Sequence, residues 1–269
     1  MSENEKIPDF KVVVDTPGWR QVQPRIPDTP QRRELESQRS VREWVFGIQD
    51  GILTTLGIAT GVGVAEGKNW FVLVSGLLAL LSGALSMGVG QYLGGKAERE
   101  VVRATIEMEK AEMEANPQDE FAEQVAYYKL KGFSSEEAHT IVSRLAQNPE
   151  IYLYEMMRDE FGIDPRIAEA GGVRPALSMA AAFAIGAILP LVPYFFHWAG
   201  RWTLGSSLAL AVIGLFSVGY YAATLSNRSP WRKGLEIVAF GMVVFAISWA
   251  AGLYLPALFG HPGINILSG

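Results

Sequence analysis

Five stretches dominate this chain, about Val41–Ala65, Trp70–Leu93, Pro175–Trp198, Trp202–Leu225 and Leu235–Phe259, each strongly apolar and nearly free of charge. A helix needs about 20 residues to cross a hydrocarbon core. Hydrocarbon offers no water to backbone N–H and C=O groups, so a single apolar stretch of this length satisfies them as a helix. The expected fold class is therefore all-α: a polytopic membrane protein with five transmembrane helices and a polar helical domain inserted between the second and third spans. The layout reads as a disordered proline-rich arm over 1–40, spans 1 and 2 over 41–95, the polar domain over 96–168, and spans 3 to 5 over 169–269.

The arm carries Pro8, Pro17, Pro24, Pro27 and Pro30 among charged and amide residues, which leaves little apolar surface to bury. Phe10–Val14 is its one apolar run, a short docking strand or surface contact at most. From Gln31 to Arg42 helix formers take over and lead into the first span. Proline and capping signals divide the polar domain. Asn116-Pro117 interrupts the helix leaving span 2, Gly132 ends the next, Ser134 to Glu137 has capping-box spacing, and Asn148-Pro149 opens the last.

The chemistry-bearing residues concentrate in that domain. Glu109 and Glu112 stand three apart, as do Glu120 and Glu123, so each pair shares a helix face. Met156, Met157 and Glu160 follow in a later helical segment. Carboxylate oxygen suits divalent cations generally, and thioether sulfur biases the set toward polarisable transition metals. These seven residues are the candidate metal ligands. The competing reading is a solvated face of a charged helix, with Met108 and Met113 as packing residues.

Within the first span, Asp50 lies about a third of the way in, with Thr54 one turn on. Ionisable groups at membrane depth face a bundle interior or a wet cavity, so Asp50 is a functional candidate. Gln49-Asp50-Gly51 also reads as a turn, with Asp50 capping a helix that starts at Gly51, or as an unwound point in a broken helix. In the second span Ser82, Ser86, Gly90 and Gly94 form a ladder of small residues that admits a close neighbour, and Met87 and Gln91 line an adjacent stripe.

Several classes are excluded. With no cysteine, thiolate catalysis, disulfides and iron–sulfur clusters cannot occur. The net charge of −5 and the absence of a basic groove argue against nucleic acid. Of His139, His197 and His261 only His139 follows a glutamate by three residues, Glu136, and a ferritin-like site takes two such pairs, so oxidase chemistry is not expected, and His139 reads as an exposed helix residue. Gly61-Val62-Gly63 follows no strand and does not read as a nucleotide loop. The chain is expected to be no enzyme and to need no catalytic cofactor. Arg and Lys cluster on the side that holds the N-terminus and the polar domain, which the positive-inside rule makes cytosolic. Without a visible presequence, a bacterial inner membrane is favoured over a vacuolar one.

Phe46 to Gly57, FGIQDGILTTLG, resembles the first-span signature of the vacuolar iron transporter family, and Ser86 to Tyr92, SMGVGQY, looks like its second-span motif. The Glu-x-x-Glu pairs and Met-Met-x-x-Glu resemble its metal-binding domain in order and spacing. The resemblance implies a homodimer that exports ferrous iron, and manganese or other divalent ions such as Co2+ and Zn2+, from the cytosol in exchange for protons. It also implies that Asp50 and Met87, with Gln91 and Thr54 nearby, line a path between protomers. Family members often carry Glu where this chain has Gln91, an amide that coordinates but does not titrate. The alternative of another class is a membrane-anchored metal-sensing or storage protein, whose spans only tether the polar domain.

Overall fold

A computed structural model describes residues 30–168, 172–196, 200–225 and 229–259. The described residues form helices without strands. The order is α1 Pro30–Glu66, α2 Asn69–Ala115, α3 Pro117–Leu130, α4 Ser135–Leu145, α5 Pro149–Asp159, a 3-10 turn Pro165–Ala168, α6 Val173–Phe195, α7 Gly200–Leu225 and α8 Pro230–Leu258. Five helices are long and apolar enough to cross a membrane, at Val41–Glu66, Asn69–Ala115, Val173–Phe195, Trp202–Thr224 and Pro230–Leu258.

The helical lead-in expected over Gln31–Arg42 is part of the first helix. Helix α1 starts at Pro30, the last of the five prolines, because proline fits the first helical turn, where its missing N–H costs nothing. The other four prolines and Phe10–Val14 lie outside the described residues, as do His197, Trp198 and His261.

Contacts divide the chain into two compact units. One comprises residues 30–93 and 172–259 of the described chain. Its helix α1 packs on α6, α7 and α8. The α1–α6 approach is backbone to backbone: a Cβ on Gly186 would stand 2.0 Å from the Ile48 carbonyl oxygen, and one on Gly51 would stand 2.2 Å from that of Phe183. Ile52 and Leu56 fill the core against Ala211, Leu215 and Ile237. The helix is continuous through Asp50. Neither a start at Gly51 nor an unwound turn occurs, since Gly51 serves the close packing against α6 instead.

Helix α2 is the least buried of the five. Leu78, Leu81, Leu85, Val89 and Leu93 are exposed. So are Ser82, Ser86, Gly90 and Gly94 of the small-residue ladder, and nothing lies within 4 Å of a Cβ placed on Gly90 or Gly94.

The other unit holds residues 94–168 of the described chain. Its boundaries follow the local signals. Asn116 separates α2 from Pro117 at the first position of α3, and Gly132 takes φ +98 after α3. Ser134 and Glu137 form a complete capping box, and the Asn148 side chain accepts from the backbone N–H of Glu150 and Ile151. The core gathers Val102, Ile106, Met113, Phe121, Val125, Val142, Tyr152, Leu153, Met156 and Met157. At its edge Arg103 Nε donates to the Ala168 carbonyl at 3.0 Å.

Candidate metal centre

Helix periodicity aims one acid of each Glu-x-x-Glu pair inward. On α2, Val102, Ile106, Glu109 and Met113 recur at spacings of four, three and four and are all buried, so Glu109 occupies a core position in an apolar stripe. On α3 the buried residues are Glu120, Phe121, Gln124 and Val125. On α5 the stripe Tyr152, Leu153, Met156 and Met157 leads to Glu160 at the C-cap, whose backbone N–H donates to the Met156 carbonyl at 2.9 Å. Each of three helices thus delivers one carboxylate. Oxygens of Glu109, Glu120 and Glu160 all lie within 4.8 Å of one another.

Glu109 is fully buried, at 0% exposure. Neither of its carboxylate oxygens meets a hydrogen-bond donor among the described residues. The Glu120 carboxyl is in hydrogen-bonding range, but two carboxylates bond only when one of them holds a proton. Burial pushes the Glu109 acid up to about 8, helped by the charges of Glu160, Glu120, Glu112 and Glu123. Burial likewise raises Glu120 to about 7, with Glu123, Glu160 and Glu112 adding to the rise and the bond with Glu109 opposing it. Glu160 is also raised, first by burial and then by Glu123 and Glu112. A buried anion without a partner is costly, and such sites are relieved by protons or by a cation.

Glu112 and Glu123 are exposed and stand outside the three-acid cluster, contributing charge from its rim. Met156 and Met157, at four and three residues before Glu160, are wholly buried beneath it. Met113 lies one turn from Glu109 on the same face and is a further buried thioether. Met108 is exposed. The Tyr152 hydroxyl donates to the Glu120 carbonyl at 3.5 Å, and burial together with the charges of Glu120 and Glu109 raises its phenol. His139 is half-buried, its ring 5.6 Å from that of Phe121.

In the membrane-spanning unit, Asp50, Thr54, Met87 and Gln91 are all half-buried. The neighbouring Thr55 is buried and donates to the Gly51 carbonyl at 2.8 Å. Gln91 Nε2 donates to Glu43 Oε1 at 3.2 Å, joining α2 to α1. Glu43 and Asp50 are seven residues apart on one face of α1, two turns or about 10 Å along the helix. Met87 is one turn from Gln91 on α2, so in an antiparallel pair it falls at a level between the two acids. Sequence reading passed over Glu43 because it sits among the charges leading into the first span, and its partner is 48 residues away.

Residues 41–253 match the family model described as VIT family. The chain is 30% identical over 224 residues to vacuolar iron transporter 1 of Arabidopsis thaliana, covering 82% of this chain and 86% of that protein. It is 29% identical over 220 residues to vacuolar iron transporter 1 of Oryza sativa subsp. japonica, with 81% and 86% covered. It is also 28% identical over 219 residues to Protein CCC1 of Saccharomyces cerevisiae, with 78% and 67% covered.

Proposed function

The chain belongs to the VIT family, and we propose that it carries ferrous iron out of the cytosol in exchange for protons, with manganese, cobalt and zinc as further substrates. It is a multi-pass membrane protein and a transporter rather than an enzyme. The observation that supports a metal cargo most is Glu109, a fully buried carboxylate with no donor against it, within reach of two more carboxylates.

In this reading Glu109, Glu120 and Glu160 capture the ion in a cytosolic domain, Glu112 and Glu123 attract it from the rim, and Met156 and Met157 add sulfur. The hard oxygens accept any divalent ion, and the thioethers shift preference toward iron and its neighbours. Capture expels the protons that burial retains on Glu109 and Glu120, so binding and proton release are one equilibrium. The path through the membrane uses Asp50, Met87, Thr54 and Gln91, and Glu43 returns a carboxylate to the place where Gln91 lacks one. A second copy of the chain completes that path. The uncovered ladder Ser82, Ser86, Gly90 and Gly94 supports a homodimer in which α2 faces its counterpart.

The test separates capture from passage. Asp50→Asn in the full-length chain is expected to bind Fe(II) with wild-type affinity by calorimetry and to abolish Fe(II) uptake by proteoliposomes. Uptake at the wild-type rate would remove Asp50 from the path, and binding without uptake by the wild type itself would favour the sensing or storage role.

A further inference from the structure

Glu160, the third carboxylate of the cluster, stands just past the last residue of α5, where helix ends fray. Its neighbour Asp159 is anchored. The Asp159 carboxylate accepts from Gln124 Nε2 at 3.0 Å and pairs with Lys131 Nζ, and its side chain is 8% exposed. Gln124, 1% exposed, is one turn after Glu120 on the same face of α3. Lys131 follows the last turn of α3, its ammonium 4.2 Å from the centre of the Tyr128 ring. The C-terminal end of α5 is therefore tied to the middle of α3 through Gln124, one turn from Glu120, and to its C-cap through Lys131.

We propose that Asp159, Gln124 and Lys131 form a brace that sets the spacing between the Glu120 and Glu160 carboxylates and thereby the affinity and geometry of metal binding. The inference rests on reading the cluster as a divalent-metal site. Three like charges brought together repel and spread unless the backbone carrying them is fixed. The Gln124–Asp159 hydrogen bond supplies that fixing across the two helices. Lys131 has a second effect: by occupying the Asp159 carboxylate it keeps a fourth acid out of the ligand set, so the centre presents three carboxylates and neighbouring sulfur rather than an all-oxygen cage. The three residues position ligands and do not themselves touch the ion.

Cobalt(II) alone is the probe, because its visible bands report ligand number and geometry while titration gives affinity. Gln124→Leu removes the bond at similar volume, Asp159→Ala removes both the acceptor for Gln124 and the charge that holds Lys131, and Lys131→Arg retains the pair. All are made in the full chain and compared below each variant's unfolding temperature. The brace predicts Co(II) binding about 10- to 100-fold weaker in the first two, as for residues that orient metal ligands elsewhere, with altered band intensities at saturation and wild-type behaviour in Lys131→Arg. Should Gln124→Leu fail to fold, Asp159→Ala decides alone. Unchanged affinity and bands in the folded variants beside a normally binding wild type would overturn the brace. A wild type that takes up no Co(II) would instead remove the metal centre, and the brace with it.

Discussion

Glu109 is where sequence and chemistry meet most closely. Its place in the stripe Val102, Ile106, Met113 was open to a reader who counted helix turns, and an acid there is either a folding defect or a binding group. What spacing alone did not separate was Glu109 from Glu112, or Glu120 from Glu123. Residues three apart share a broad face, and it is the apolar stripe around each pair, not the Glu-x-x-Glu spacing, that marks which acid faces inward. The consequence is a defined pH dependence. Because the folded chain holds a proton on Glu109 up to about pH 8, while an ordinary glutamate loses it near 4.5, the metal-free protein loses stability as pH rises between those values. Metal binding displaces that proton and the one held on Glu120 up to about 7, so affinity climbs over the same window. Thermal unfolding and calorimetry between pH 5 and pH 8 (roughly the range over which these groups titrate) should show both trends in the wild type. Glu109→Gln, which has no proton to release, should flatten both and weaken binding, by about 10-fold or more.

Element boundaries were the most legible layer. Pro117, Gly132, the Ser134–Glu137 box and Asn148-Pro149 act through their own backbones and need no tertiary partner to be read. The exception is instructive. Gln49-Asp50-Gly51 has the composition of a turn, yet α1 runs through it, because the glycine is there to let α6 approach rather than to bend the chain. Local propensity cannot distinguish those two uses when the neighbour, Phe183, arrives from 132 residues downstream. The contact makes a sharp prediction at Gly186, where even one methyl would meet the α1 backbone. Gly186→Ala is expected to cost about 1–3 kcal/mol or more through overpacking, seen as an earlier loss of the monodisperse peak on heating in detergent.

For the whole molecule, five apolar runs were sufficient to read the number of spans, because hydrocarbon leaves the backbone so few options. The pairing of α2 was not legible from one chain, since its small-residue ladder finds nothing to pack on within the described residues. The Gln91–Glu43 bond was hidden for a related reason: it joins separate helices, and neither residue signals the other. On this reading one protein both captures a divalent ion with buried acids and moves it against returning protons. Metal-quenched dye sealed inside vesicles that carry the full-length wild type tests this most directly. Added Fe(II) is expected to quench the dye faster when the interior is acidic than when both sides share one pH. Equal quenching with and without the gradient, in vesicles whose protein binds Fe(II) normally, would contradict it.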